Sequence, residues 1–360
     1  MIGVNSILKI AYIVAEKLDK EHGVSKKILN QINFWKNEGH EVILFYFSNE
    51  FISPLFKKVK IEHIKYSTRL DFIFSNKGKK IVEDYNPDIV YFRYYLFTLS
   101  FYKILKHNKS VIEINSNDIE ESRISYPYLS RLYLLCTRDL LLKQADGFIT
   151  VTRELKSLVE NYSSKISTIA NGINEPFKEK KIMEKNEELH AIFIGSPNQK
   201  WHGIDKLIDL ANHIPNCTFH IIGINNMDNP PNNFIQYGYM SQEEYLPILS
   251  KCNVGIGTLA LHRKNMEEAS PLKVREYLKN GLPIIIGYVD SDFAESTYPF
   301  ILKLPNTDNN VSENINVIRN FILNSKDMKI TKEEIECIFN ENKEVKRLEF
   351  FENIIRQGKR

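Results

Sequence analysis

Apolar and polar positions alternate along this chain with two periods that repeatedly exchange places. Strand-sized apolar runs lie at 8–14, 41–47, 88–92, 111–114 and 147–151, each bounded by polar or turn residues. Between them run stretches of helical period, among them an amphipathic one at 25–37 and another at 128–144. Strands alternating with helices predict parallel pairing through right-handed crossovers, hence a doubly wound α/β sheet. The pattern breaks near Asn171. The segment 173–189 is polar, carries Asn174, Pro176 and a run of Lys and Glu, and reads as a linker.

The alternation then restarts, with strands expected at 190–194, 218–222, 254–257 and 283–286. Helices are expected at 204–213, from Ser241, where Ser241-x-x-Glu244 is a capping box, and from Pro271. Thr331-x-x-Glu334 opens a late helix, and Val345, Leu348, Phe351 and Ile355 mark one face of the last one. The second half therefore repeats the architecture of the first without repeating its sequence.

Composition changes this picture little. A chain of 360 residues is long for one core, and two domains are the natural reading. The four cysteines, Cys136, Cys217, Cys252 and Cys337, are far apart and form no C-x-x-C pair, which argues against a disulfide framework or a zinc site. Lys9 interrupts the first apolar run, so a strand suits it better than a signal peptide. No apolar stretch approaches the roughly 18 residues that span a bilayer, and a cytoplasmic protein is expected. Charge is lopsided: residues 1–165 carry about 25 Lys and Arg against about 19 Asp and Glu. A basic half suits either an anionic partner such as a phospholipid surface, touched peripherally, or a merely solvated lysine-rich surface.

In an open parallel sheet, ligands bind beyond the carboxyl ends of the strands, at helix N-termini. Three turns there have anion chemistry. Glu21-His22-Gly23-Val24-Ser25 follows the first strand, with Gly23 allowing close backbone approach. The turn 195–203 in the second half offers Gly195, Ser196, Lys200, Trp201, His202 and a helix start at Gly203. The third turn, 267–277, is the richest. Ser270 fits an N-cap and Pro271 the first helical position, so the N–H groups of Leu272 and Lys273 would point out of the helix end. Lys273 adds a full positive charge, and Glu268 and Glu276 place carboxylates on either side. A diphosphate on Lys273, with a sugar on one side and a ribose on the other, uses all of these groups.

Glu268, seven intervening residues and then Glu276 resemble the two-glutamate motif of glycosyltransferase family 4, retaining enzymes with the GT-B fold. The run Ser270-Pro271-Leu272-Lys273 through Glu276-Tyr277-Leu278 to Asn280-Gly281-Leu282-Pro283 is similar to that family's donor-site helix and following strand. His22-Gly23-Val24, Gly39-His40-Glu41-Val42, Ala145-Asp146, Asn171-Gly172-Ile173 and Trp201-His202-Gly203 follow in family order, so the likeness covers most of the chain.

The resemblance implies two Rossmann-like doubly wound domains facing across a cleft: an acceptor-side domain, 1–168 with 342–360, and a nucleotide-sugar domain, 169–341. It implies transfer of a sugar from a nucleotide diphosphate, by default a UDP-sugar, to a saccharide or lipid-linked acceptor, with retention. Bacterial surface-polysaccharide synthesis is the expected setting. It further implies that Glu276 bonds the ribose hydroxyls, Glu268 the transferred sugar and Lys273 the diphosphate, while Gly23 brings its turn near the leaving phosphate. Ser196, Lys200, His202, Gly203, Ser270 and Leu272 complete the expected donor set. The family often has Arg and Lys where this chain has Ser196 and His202. Lys200 or a protonated His202 would substitute.

On the acceptor side, Arg93, Tyr94, Asn115 and Asp118 at strand ends are the candidates, Arg93 suiting a phosphate. Most of 91–97 reads as aromatic core. Asp290-Ser291-Asp292 has the spacing of a divalent-metal motif. Lys273 already supplies the counter-charge, so these are read as loop carboxylates, with no metal and no cofactor. A nicotinamide oxidoreductase is disfavoured because no G-x-G-x-x-G follows the first strand, and nucleic-acid binding because no basic stripe or motif is seen. An inactive member that serves a partner transferase remains the alternative, motivated by Ser196 and His202.

Overall fold

The computed structural model describes residues 6–19, 23–180, 188–225 and 227–357. Its chain divides into two compact units, Met1–Ala170 with Asn340–Arg360, and Asn171–Phe339.

The first unit is built on seven parallel strands: β1 (Lys9–Val14), β2 (Glu41–Phe47), β3 (Ile61–Ile64), β4 (Ile89–Arg93), β5 (Ser110–Ile114), β6 (Gly147–Thr150) and β7 (Ile166–Thr168). Their order is β3-β2-β1-β4-β5-β6-β7, with direction of growth reversing at β1 and β4, as in a doubly wound sheet. The helices of this unit are α1 (Gly23–Asn37), α2 (Arg69–Phe74), α3 (Lys77–Tyr85), α4 (Leu99–His107), α5 (Asp118–Ser125) and α6 (Tyr128–Leu142). The central strands β1 and β4 are near-continuous apolar runs because both sheet faces are covered.

The second unit has a six-stranded parallel sheet ordered β10-β9-β8-β11-β13-β15. Its members are β8 (Leu189–Ile194), β9 (Cys217–Ile222), β10 (Phe234–Gly238), β11 (Val254–Ile256), β13 (Ile284–Ile286) and β15 (Ile301–Lys303). A separate parallel pair joins β12 (Glu268–Ala269) to β14 (Val289–Asp290). The helices are α7 (Ile204–His213), α8 (Gln242–Leu249), α9 (Leu272–Lys279) and α10 (Ile315–Asn324). The capping box at Ser241 is present, with both reciprocal bonds to Glu244. Thr331 and Glu334 also bond each other's backbone, yet they open a 3-10 turn at Glu333–Ile338 rather than the expected α-helix. Phe339 ends that turn in extended backbone.

The expected linker 173–189 is anchored where described. Ile173 bridges to Phe339, Lys178 N–H donates to the Lys279 carbonyl, and the Lys180 ammonium donates to the carbonyls of Asn253 and Ser325. Residues 181–187 lie outside the described set, and Leu189 already belongs to β8.

The last helix, α11 (Asn340–Arg356), returns to the first unit and packs on α1. Leu348 and Phe351 are buried as the apolar face predicts, but Val345 and Ile355 are only partly covered and Ile354 takes the inner position. The inner face also carries charge. Glu344 accepts from the Trp35 indole N–H at 3.0 Å, and Arg347 reaches Glu113 at 3.5 Å and donates to the Tyr91 hydroxyl at 3.2 Å. Periodicity of apolar residues alone does not find such a face, because its polar members are buried by mutual pairing.

Candidate active site

Each inward residue of α9 has an anchor. The Tyr277 hydroxyl accepts the Ile194 N–H at 2.8 Å and its ring covers Gly255, where a Cβ would stand 2.4 Å from it. Val274 lies against Gly257. Arg275, fully buried, forks onto Asp290 at 2.6 and 2.8 Å and onto Asp292 at 2.9 Å. It also donates to the Asn171 carbonyl at 3.1 Å and to Ser270 Oγ at 2.9 Å. The Asp-x-Asp pair is therefore a buried ion-pair partner and not a set of solvated loop carboxylates. Among the described residues, no group of three or more His, Cys, Asp or Glu has metal-binding proximity.

These bonds correct the expected cap. Ser270 Oγ is engaged by Arg275 and by the Asn171 N–H, so it does not cap α9. Pro271 is the N-cap, in extended backbone, and its carbonyl accepts from Val274. The N–H groups of Leu272 and Lys273 still precede the first intrahelical bond and leave the helix end positive.

Lys273 is the exceptional residue here. Its ammonium is buried, lies 4.0 Å above the centre of the Phe193 ring and has no hydrogen-bond partner among the described residues. By contrast, buried Lys27 has Glu113 and Asn115, buried Lys206 the Thr307 carbonyl and Asn310, and half-buried Lys180 two carbonyls. Burial alone pulls Lys273 down to about 7. An ammonium held without a counter-charge costs stability, and a bound anion would remove that cost.

The turn after β8 converges on the same place. A Cβ at Gly195 would meet Phe193 at 2.5 Å and His202 at 2.9 Å, so only glycine lets the backbone pass. Gly203, at φ +73°, turns the chain into α7 in the left-handed region that glycine favours. His202 is buried edge-on to Phe193, ring centres 5.3 Å apart, and its Nδ1 has no partner among the described residues. Burial, reinforced by the Lys273 charge, takes it down to about 2. The expectation of a protonated His202 is thus overturned: the imidazole is neutral and acts through its nitrogens only as a donor and acceptor. Ser196 and Lys200 are exposed on the turn.

Lys264 was not singled out in the sequence. It is buried with its ammonium 4.4 Å above the Trp201 ring, and its charge also bears on His202. It follows β11 in a 3-10 turn, Leu261–Lys264, without a motif that would mark it.

Glu268 is buried on β12. Among the described residues Glu276 is held through one oxygen: its Oε1 accepts from the Gln242 amide at 3.0 Å and from Asn280 at 3.2 Å. Gln242 was not singled out in the sequence, and Asn280 only as part of the run after the helix, without this role.

In the first unit, the four acceptor candidates do gather at the ends of β4 and β5, but each is engaged. Arg93 is buried, 2.9 Å from Glu16 and 3.1 Å from Glu113, so its charge is spent inside the protein and the expected phosphate role does not follow. Asn115 accepts from Lys27 and donates to Glu113. Asp118 takes a two-pronged bond from Arg138 at 2.8 and 3.2 Å and one from the Tyr94 hydroxyl at 3.1 Å. Burial by itself would raise Glu113, but Lys27, Arg347 and Arg93 hold it well below the usual carboxylate range. Tyr91 and Phe92 are core, as read. Gly23 opens α1. Glu21 and His22, the rest of the first turn, lie outside the described residues.

Residues 22–176 match the family model described as Glycosyltransferase Family 4. No curated protein matches the chain in sequence. Among solved structures, the sucrose-phosphate synthase from Thermosynechococcus elongatus superposes with a TM-score of 0.68 at 14% identity, over 97% of this chain and 99% of that one. The lipopolysaccharide outer core galactosyltransferase WaaB gives 0.65 at 15% identity, over 97% and 99%. An alpha-glucosyltransferase in complex with UDP-glucose and abasic DNA gives 0.62 at 14% identity, over 96% and 100%. The two doubly wound parallel-sheet units and these superpositions give the chain the fold of the GT-B glycosyltransferases, and its residues 22–176 are similar to glycosyltransferase family 4.

Proposed function

We propose that the second unit binds a UDP-sugar, and that the chain transfers the sugar, with retention, to a saccharide or lipid-linked acceptor held by the first unit. The reading rests above all on the Lys273 ammonium at the start of α9, which has no hydrogen-bond partner among the described residues. When the bond from the anomeric carbon to the diphosphate oxygen breaks, its electron pair stays on the diphosphate. The acceptor hydroxyl then bonds the anomeric carbon and gives up its proton, for which the departing phosphate oxygen is the nearest base in a same-face reaction. Negative charge therefore grows on the diphosphate, and Lys273, Lys264 and the open N–H groups of Leu272 and Lys273 stabilise it. His202, being neutral, donates a hydrogen bond from a ring nitrogen rather than a charge. Gln242 and Asn280 fix one oxygen of Glu276, leaving the other for the ribose hydroxyls, and Glu268 faces the transferred sugar.

A neighbour that binds UDP-glucose supports uridine as the base, and the outer-core galactosyltransferase supports a role in surface-polysaccharide synthesis. Thermal shift against a panel of nucleotide sugars tests the reading, since a ligand of the native state raises apparent stability. A UDP-sugar should raise the melting temperature of the wild type and not of a Lys273→Ala variant. Equal shifts in both would refute it. The inactive-partner reading has one observation in its favour, a serine and a neutral histidine where the family often has two cations. Slow hydrolysis of the bound UDP-sugar by the purified chain would exclude it.

A further inference from the structure

The first sheet reverses its direction of growth between β1 and β4, and the crevice beyond the carboxyl ends of those two strands is where an open parallel sheet makes room for a ligand. One ion pair spans that crevice. Arg93 ends β4, Glu16 stands two residues past β1, and the guanidinium Nε lies 2.9 Å from Glu16 Oε2. Arg93 is buried and also lies 3.1 Å from Glu113, its neighbour in the β4–β5 register. The Glu16 side chain, in contrast, is 34% exposed, and its Oε1 enters no hydrogen bond or ion pair among the described residues.

Charge balance explains why a carboxylate is held there. In this cluster Lys27, Arg93 and Arg347 are buried with two buried carboxylates, Glu113 and Glu344, and Glu16 supplies the third. A buried guanidinium thus fixes one oxygen of Glu16 and leaves the other facing outward. The cations nearby are already engaged. Lys27 bonds Glu113 and Asn115, Arg138 bonds Asp118, and Lys17, next to Glu16, lies 3.8 Å from Asp19. An aromatic surface adjoins the carboxylate. Burial first, then Tyr66 and Glu16, raise the hydroxyl of half-buried Tyr95 above its ordinary value, so that ring lies within reach of the Glu16 charge. Tyr95 meets Phe72 edge-on with ring centres 6.2 Å apart, and Phe72 packs on Tyr66 at 4.5 Å.

We propose that Glu16 and Tyr95 bind the reacting end of the acceptor, and that this end is a saccharide with adjacent hydroxyls and no phosphate. A carboxylate accepts charge-assisted hydrogen bonds from sugar hydroxyls, and one already oriented by Arg93 does so without further ordering. A tyrosine offers the C–H face of a sugar ring an apolar surface with a polar tip. A phosphate brought to the same place would meet like charge, with the neighbouring cations already paired. The inference rests on the reading of the first unit as the acceptor side and narrows it. A lipid carrier's phosphate would have to lie away from this crevice.

Saturation-transfer NMR on the full chain tests it, with methyl α-glucoside, methyl β-galactoside and glucose 6-phosphate as probes. At least one methyl hexoside should bind, and more tightly than the phosphorylated sugar. Glu16→Gln keeps the side-chain shape and removes the charge, and should weaken that binding by at least roughly fivefold, the loss of a charge-assisted hydrogen bond. A Glu16 that serves only to balance Arg93 would lower the melting temperature of this variant without moving sugar affinity. Should Glu16→Gln fail to fold, Tyr95→Leu, which leaves the ion pair untouched, carries the test and should weaken binding several-fold. Binding of no methyl hexoside, tighter binding of glucose 6-phosphate, or affinity unchanged in the folded variants overturns the proposal. Thermal shift by a UDP-sugar is a separate readout on the second unit. A shift that persists while sugar binding fails sinks this inference alone, and the converse result sinks only the donor reading.

Discussion

The Lys273 ammonium lies 4.0 Å from the centre of the Phe193 ring and has no hydrogen-bond partner among the described residues. An aromatic face offsets part of the desolvation of a cation but supplies no acceptor. The pair therefore holds a charge in readiness for an anion, at some cost to the empty protein. Lys273→Met should lower sugar-transfer turnover by roughly two to three orders of magnitude, as for loss of a main charge-stabilising donor. The melting temperature should stay the same or rise, because an unpaired buried charge is removed. Steady-state kinetics and a thermal melt on one preparation check both, and near-normal turnover in a folded variant would sink the assignment.

The same lysine gives a pH signature. Its folded value is near 7, against 10.5 for a free lysine. Between those values the unfolded chain holds a proton that the folded chain has lost, so stability should rise with pH across that window. Below about 7 both states are protonated, and the full cost of burying the charge is present. A bound diphosphate favours the ammonium, so above pH 7 binding should take up a proton and affinity should fall, by at most about tenfold per pH unit. Calorimetry in buffers of different ionisation enthalpy measures the uptake, which should vanish in Lys273→Met.

Removal of divalent metal should leave activity unchanged. Asp290 and Asp292, the pair with metal-motif spacing, are both bonded to the buried Arg275 guanidinium. Activity that disappears with EDTA and returns with magnesium or manganese would contradict this.

Arg275→Met should destabilise the protein by about 3–5 kcal/mol, since it strands the buried Asp290 carboxylate and frees Ser270 and Asn171. Replacing Asp290 as well, by Leu, should recover part of that loss. Denaturant melts of the single and double variants give the coupling, and simple additivity would argue against the pair as the cause.

Gln242→Leu removes one of the two amides that hold Glu276 Oε1. The donor KM should rise by about five- to tenfold, about 1–1.5 kcal/mol of binding, with kcat little changed. A fall in kcat at constant KM would mean that Glu276 acts at the reacting centre rather than on the ribose side.

The alternation of apolar runs and helical stretches was enough to read two doubly wound sheets and the break near Asn171, because local periodicity and chain direction dictate parallel pairing. Lys273 and Glu276 were legible for a related reason: Pro271 and the charges around it lie within one helical turn. Ser270 was misread by the same local logic. A serine before a proline looks like a cap, and only the tertiary arrival of Arg275 and Asn171 diverts its oxygen. His202 was misjudged because its charge state depends on burial and on Lys273, which lies 71 positions away in sequence. Lys264 and Gln242 left no signal, since each meets its partner, Trp201 or Glu276, only across the fold; Asn280 lies one helical turn from Glu276 and was noticed only as part of the run after α9.

What the sequence determined by itself is thus the inner strands of both sheets with their parallel pairing, and the helix start with its lysine and two carboxylates, all consequences of spacing along the chain; the edge strands β3, β7, β10 and β15 and the strand order came from the tertiary structure. The tertiary structure alone decided which charges are spent and which are kept. Arg93, Asp118, Asp290 and Asp292 are neutralised by partners brought from distant strands and helices, whereas Lys273 is desolvated without one among the described residues. Burial and ion pairing are sums over neighbours in space, and no pattern along the chain contains them.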